Sequence, residues 1–184
     1  MSYPFTIPQL LELTIKKEGD YGDHPSDLGG PTIWGITERV ARENGYTKPM
    51  HVMSREEAKV IYLKRYIQVP GFDKIHEVNA VVGCELIDTG INQGVPTASL
   101  FFQRALNALN CQAKHYPDLK IDGDCGPRTL INFKAYMAKR GKDGELVMLR
   151  VLDSLQGARY VDITEKRVEN EDFTFGWFLN RVGT

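Results

Sequence analysis

Twenty residues from Glu18 to Thr37 break into a chain that elsewhere carries helical apolar spacing, and their composition limits what that part can become. The stretch holds five glycines, four carboxylates, two threonines and two large aromatics, Tyr21 and Trp34. Glycine and proline disfavour helix, while Asp, Ser and Gly favour turns, so residues 19–37 are expected to be a loop-rich insert with little regular β structure. Loops carried by a rigid scaffold are where binding and catalytic groups concentrate.

The scaffold around this insert reads as helical. Ile7, Leu10, Leu11 and Ile15 share one helix face, with Pro8 tolerated in the first turn, and Glu18-Gly19 ends the run. Ser54 and Glu57 have the spacing of a capping box ahead of Ala58, Ile61, Tyr62 and Tyr66, and Pro70-Gly71 closes that helix. A helix over residues 79–92 places Val81, Cys84, Glu85 and Asp88 on related faces. Gly94-Val95-Pro96 then turns the chain into a second helix carrying Ala98, Phe101, Phe102, Ala105, Leu106 and Leu109. After the break at residues 122–127, helical patterns return around 130–137 and 145–155. The second has Leu146, Val147, Met148, Leu149, Val151, Leu152 and Leu155 nearly all round, which predicts a helix enclosed by others. A mainly α fold is expected, with a small irregular or hairpin-containing region. A weak composition shift near residues 70–79 suggests an N-terminal lobe, 1–78, and a helical lobe, 79–184, packed as one unit. No internal repeat or low-complexity tract appears.

Several function classes are excluded at this level. Of 184 residues, 23 are Lys or Arg and 24 Asp or Glu, a formal charge of -1 that provides no chain-wide positive field for nucleic acid or an anionic membrane. The three cysteines, Cys84, Cys111 and Cys125, are odd in number and lack CxxC spacing, so free thiols are expected rather than a disulfide framework or structural zinc. The four histidines are scattered without HExxH spacing, which disfavours a zinc hydrolase. Asp122 and Asp124 lack the remaining ligands of a calcium loop and read as a turn. The first residues show neither the charge order nor the apolar run of a signal peptide, and no apolar stretch approaches the ~20 residues needed to span a bilayer.

Within the insert, one chemistry fits the residue types. Glycoside hydrolysis uses a protonated carboxyl to release the departing oxygen and a second group across the sugar ring to activate water or attack the anomeric carbon. Glu18, at the end of an apolar helix face, suits the acid, because withdrawal from water raises a carboxyl pKa. Asp27 could face it across a cleft, and a carboxyl separation of about 6.5–9.5 Å would predict inversion where about 5–5.5 Å would predict retention. The hydroxyl of Thr32 could hold the attacking water. Each has a structural competitor. Glu18 could be a solvated helix-end residue, although a carboxylate gains nothing from the negative end of a helix dipole. Asp23 and Asp27 could form turns, and Tyr21 and Trp34 could be core residues or sugar-stacking platforms. Further on, Asp88, Asn92 and Gln93 end a helix, where they could cap it or hydrogen-bond a glycan. Arg159, Lys166, Arg167 and Arg181 could form a basic edge or simply be solvated, and Trp177 and Phe178 are expected to dock the tail onto the core.

The run Glu18-Gly19-Asp20-Tyr21, His24 to Thr32, and Gly35-Ile36-Thr37 closely resembles the N-terminal motif of the glycoside hydrolase family 108 lysozymes, endolysin-type N-acetylmuramidases. The resemblance continues through Asp88 to Gly94, Asp122 to Leu130 and Gly176 to Val182, where the family has a helical, predicted peptidoglycan-binding region. The order Glu, Asp nine positions on and Thr five beyond is also similar to the phage T4-type lysozymes. One departure is Asp20, which stands where the family usually has a second glycine. The resemblance implies a lysozyme-like fold and cleavage of the β-1,4 bond between N-acetylmuramic acid and N-acetylglucosamine. It implies Glu18 as general acid, Asp27 as base or charge stabiliser and Thr32 as the group that orients water. Tyr21, Trp34, Asn92 and Gln93 are the expected substrate contacts, with no metal or organic cofactor. It further implies a monomeric bacteriophage endolysin, held in the host cytoplasm and released to the wall by a separate holin. A bacterial secretion-associated muramidase, a lytic transglycosylase and a non-catalytic peptidoglycan-binding protein are the alternatives.

Overall fold

The computed structural model describes residues 6–17 and 31–183, with backbone only at Lys16 and Lys17. These residues fall into two compact units that divide between Val69 and Pro70.

In the first unit, helix α1 spans Ile7–Lys17. Its start is a capping box not foreseen above. The Thr6 hydroxyl accepts from Gln9 N–H at 3.4 Å while Gln9 Oε1 accepts from Thr6 N–H at 2.9 Å. Leu10, Leu11 and Ile15 are buried along one face, as their spacing predicts. Strands β1, Thr32–Ile33, and β2, Ile36–Thr37, pair antiparallel with Thr32 opposite Thr37 and Ile33 opposite Ile36. Helix α2, Glu38–Glu43, follows without a break because the Thr37 hydroxyl caps it, accepting from Val40 N–H. Helix α3, Arg55–Tyr62, begins at the expected Ser54/Glu57 box. The Lys48 ammonium and the Ser54 backbone and hydroxyl donors hold the Glu57 carboxyl down to about 2. Past Tyr62 the helix widens into a π turn over Leu63–Gln68. Glu12 of α1 pairs with both Arg55, at 2.8 Å, and Lys59 of α3.

Among its described residues the second unit has helices as its only regular elements, with irregular chain over residues 109–126. Helices α4, Phe72–Val78, α5, Ala80–Gln93, and α6, Val95–Ala108, run in succession, with Gly94 at φ 94° forming the corner between α5 and α6. Helix α7 covers Pro127–Lys166 but is broken at Gly141, whose φ of 54° and ψ of -136° split it into limbs 127–140 and 142–166. The Tyr136 hydroxyl donates to the Gly144 carbonyl at 2.7 Å across the break. Helix α8, Glu171–Arg181, completes the unit. Neither α4 nor α8 was evident in the sequence, α4 because it lies in the stretch of weak composition shift. Phe72, Leu86, Ile87, Phe102, Leu106, Phe133 and Met148 form the core, with Phe102 and Phe133 edge to face at 5.1 Å.

One expectation is corrected. The second limb of α7 is not enclosed: Met148 and Leu152 are buried, but Leu146 is 48% and Val147 38% exposed. The limb buries the row Gly144, Met148, Leu152, Gln156 and Tyr160, at four-residue intervals, with Gly157 beside it, while Leu149, Val151 and Leu155 are only half-buried. The turn reading of Asp122 and Asp124 matches the geometry. Gln103, itself buried, donates to Asp122 Oδ1 and the Asp124 carbonyl and accepts from the N–H groups of Asp122 and Gly123. Cys84 and Cys125 are buried and Cys111 is exposed, and none of the three is in a disulfide. No helix among the described residues is long and apolar enough to cross a membrane.

Two features of α5 generate predictions. A Cβ on Gly83 would lie 2.4 Å from His76 Cα, so α4 and α5 meet backbone to backbone there. Gly83→Ala is expected to lower the free energy of unfolding by about 2–3 kcal/mol in urea titration despite its better helix propensity. Glu85 is 4% exposed, and burial, followed by the charges of Asp88 on its own helix and Asp153 on α7, raises its carboxyl to about 8. Protonated Glu85 is therefore favoured by the folded chain. Stability should fall as pH rises from about 4.5, the unfolded value, to about 8, and level off above that. In Glu85→Gln the melting temperature should lose this component of its decline over that window.

Candidate active site

Glu18, Tyr21 and Asp27, three of the residues the sequence singles out, lie outside the described residues. In sequence Glu18 follows directly on Lys17, the last residue of α1. Thr32 and Trp34 are brought together on the hairpin. The pairing register puts Ile33 and Ile36 on the buried face, which leaves Thr32 and Thr37 on the other. Both are half-buried, and Thr37 is committed to capping α2.

The hairpin turn is tight and strained. Its two central residues, Trp34 and Gly35, have φ of 54° and 73°, the positive values a type I′ turn requires. Glycine adopts these freely. For a tryptophan the left-handed region costs about 1–3 kcal/mol and persists only when its surroundings enforce it. Two hydrogen bonds do so here. The Trp34 indole N–H donates to the Met53 carbonyl at 3.0 Å, and the Tyr62 hydroxyl donates to the Trp34 carbonyl at 3.1 Å. Helix α3 and the segment before it thus clamp the hairpin tip and hold Thr32 at a defined position two residues away. The indole N–H is engaged with protein backbone, which leaves the ring as the part of Trp34 available to stack on a sugar.

Asn92 and Gln93 close α5 in the other unit and line one cavity of about 310 Å³. Asn92 acts as a helix-end residue, its amide donating to the carbonyl of Asp88 at 2.8 Å and to Asp88 Oδ2 at 3.0 Å. Arg181, on α8, lies 3.4 Å from Asp88 Oδ2. Trp177 and Phe178 dock as expected, with ring centroids 5.0 Å and 6.0 Å from Tyr160. No group of three His, Cys, Asp or Glu side chains among the described residues is placed to hold a metal ion. The clamp role of Tyr62 escaped the sequence reading, because apolar spacing does not distinguish a tyrosine buried for its ring from one held for its hydroxyl. Removing that hydroxyl in Tyr62→Phe should lower unfolding free energy by about 1 kcal/mol in urea titration, since the Trp34 carbonyl loses its donor.

Residues 11–94 match the family described as Glycosyl hydrolase 108, and residues 97–182 match the one described as Predicted Peptidoglycan domain. No curated protein matches the chain. Among solved structures, the chain is similar to SagA of Brucella abortus, with a TM-score of 0.66 and 22% identity over 93% of this chain and 86% of that one. At that identity the likeness shows the fold, which is mainly α and lysozyme-like with a helical C-terminal part. A glycoside hydrolase region followed by a peptidoglycan domain makes this a glycoside hydrolase acting on peptidoglycan. The two matches adjoin along nearly the whole sequence, so residues 11–94 are a glycosyl hydrolase 108 region and residues 97–182 a predicted peptidoglycan domain.

Proposed function

We propose that the chain is an N-acetylmuramidase that hydrolyses the β-1,4 bond between N-acetylmuramic acid and N-acetylglucosamine. The observation that carries this reading is the family match over residues 11–94, which includes Glu18, Asp27 and Thr32 in the order and spacing the chemistry needs. Glu18 protonates the departing glycosidic oxygen. Asp27 activates water or stabilises the oxocarbenium-like transition state, and Thr32 orients the water. The clamped hairpin supports the role of Thr32, since a group that positions water is effective only if its own position is fixed.

In the cell, the reading is of a bacteriophage endolysin acting as a monomer on the host wall. A chain of balanced charge without a membrane-crossing helix among its described residues fits release by a separate holin.

The test is mass spectrometry of purified peptidoglycan digested by the wild type and by Glu18→Gln, with borohydride reduction marking new reducing ends. Reduced muramic acid ends are expected from the wild type, with release slowed roughly 10²–10⁴-fold in the variant at unchanged melting temperature. Anhydro ends would make the enzyme a lytic transglycosylase. Equal digestion by a folded Glu18→Gln would remove the acid from its role.

A further inference from the structure

A row of polar side chains runs along the seam between α5 and the second limb of α7. Glu85, Thr89 and Gln93 follow at four-residue intervals on α5, and Gln156 and Tyr160 do the same on α7. The inner end is hydrogen-bonded: the Thr89 hydroxyl donates to Glu85 Oε1 at 3.1 Å, and the Gln156 amide donates to Thr89 Oγ1 at 3.3 Å. The outer end is not. Gln93 Oε1 and Nε2, Gln156 Oε1 and the Tyr160 hydroxyl are withdrawn from solvent and unpartnered, four of the eight such side-chain atoms among the described residues. Burial raises the Tyr160 hydroxyl above its usual range, and the Gln93 amide, close by but outside hydrogen-bond geometry, opposes that only in part.

At Gln93 and Tyr160 this outer end opens into the 310 Å³ cavity, bordered also by Asn92, Arg159, Trp177 and Arg181, while Gln156 lies behind them, fully buried. Tyr160 is 3% exposed, so its hydroxyl reaches nothing except what enters that cavity. Donors dominate the lining. Arg159 is exposed and makes no ion pair among the described residues, and the Trp177 indole N–H donates to nothing there. Arg181 sits 3.4 and 3.5 Å from the two oxygens of Asp88, longer than the about 2.7–2.9 Å of a strong charge-assisted bond, so it retains donor capacity. Both faces of the Trp177 ring are covered, by Tyr160 at 5.0 Å and Phe173 at 6.2 Å, which removes them as a platform for a sugar. Two guanidiniums, amide and indole N–H groups and a phenol form a lining suited to a carboxylate. Its volume is near the lower end of small-ligand sites.

We infer that this cavity is a recognition subsite for the carboxylates of the peptide stem of peptidoglycan, separate in role from the glycan-cleaving residues. The inference rests on the peptidoglycan hydrolase reading for its substrate. Within that polymer the lactyl carboxyl of a muramic acid that bears a stem is tied up as an amide, so the substituted glycan offers no acid to two arginines, whereas the stem peptides carry free carboxylates. Arg159 and Arg181 take the carboxylate, Gln93 and the Tyr160 hydroxyl take the adjoining amide, and Trp177 borders the site with its N–H.

The probe is the stem tripeptide L-alanyl-γ-D-glutamyl-meso-diaminopimelate, titrated into the full chain by calorimetry and by NMR of the Trp177 indole resonance. Binding is expected, and Arg159→Gln should weaken it about tenfold or more without changing the melting temperature, because Arg159 is exposed. Tyr160→Phe keeps the ring stack and removes an unpartnered hydroxyl, so it should weaken binding while leaving stability equal or higher, opposite to the effect of a purely structural hydroxyl. Absence of binding, unchanged binding by Arg159→Gln, equal binding of the carboxyl-amidated tripeptide, or equal competition by inorganic phosphate or a chitin oligomer would each overturn the inference. Reducing-end release from glycan stripped of its stems is measured alongside. Release without tripeptide binding ends the subsite and leaves the hydrolase standing, whereas tripeptide binding without release from either glycan does the reverse.

Discussion

Helix α5 is buried almost along its whole length by α4, α6 and α7, and that enclosure governs the rest of the C-terminal unit. A helix buried over most of its circumference must meet its neighbours closely and must find partners inside the protein for the polar groups on its buried faces. Gly83 meets the first demand, letting α4 cross with His76 backbone against it. The second is met only in part. Thr89 bridges Glu85 and Gln156, but a carboxylate at Glu85 would be charged in a dry setting beside Asp88 and Asp153, so the group holds its proton well above the ordinary range.

The N-terminal unit solves a different problem by different means. Its elements are short, and the hairpin has only two residues per strand, too few to be stable alone. Order comes from local devices: capping at Thr6, Thr37 and Ser54, and the Glu12 pairs linking α1 to α3. Exposed ion pairs contribute little each, so the more decisive terms are the buried Ile15, Ile33, Ile36 and Ile67 and the hydrogen bonds that clamp Trp34. Strain at Trp34 is then a consequence of how the hairpin is held. The same contacts that force the left-handed backbone also fix the strand bearing Thr32.

The elements that could be read from the sequence are those whose signal is local. The Ser54/Glu57 box, the Gly94 corner and the α5 and α6 stripes each depend on residues a few positions apart. The hairpin was legible as a glycine-interrupted apolar patch, though not its turn, since Trp-Gly lacks the usual Asn or Asp for positive φ. Left-handed backbone at Cys111, Gln112 and Ala113 was likewise invisible, because a hydrogen bond from Ala113 N–H to Asn110 Oδ1 supports it where no glycine does. The enclosed-helix reading of residues 145–155 failed for a tertiary reason: hydrophobicity all round a helix does not reveal how many neighbours the fold supplies. For the candidate site, residue types and order pointed to Glu18, Asp27 and Thr32, whereas the clamp on Trp34 spans 19 and 28 residues of sequence and has no local trace.

The underpaired seam between α5 and α7 is the least economical part of the fold. Each buried polar atom without a partner costs about 1–3 kcal/mol, and such groups are normally few. Nothing in the packing requires those at the cavity: an aliphatic residue at Gln93 and a phenylalanine at Tyr160 would fill a helix seam as well and remove that part of the deficit. The inner half of the row does form a connected set from Glu85 to Gln156. Of the unpaired atoms, those of Gln93 and Tyr160 lie on the cavity lining beside two arginines, and Gln156 Oε1 lies behind them in the interior. A packing defect would leave orphaned groups in the interior, where they are hardest to satisfy. Orphaned groups on Gln93 and Tyr160, beside an Arg159 with no ion pair among the described residues and an Arg181 held only at 3.4 Å by Asp88, fit a site that takes a ligand better than a packing defect.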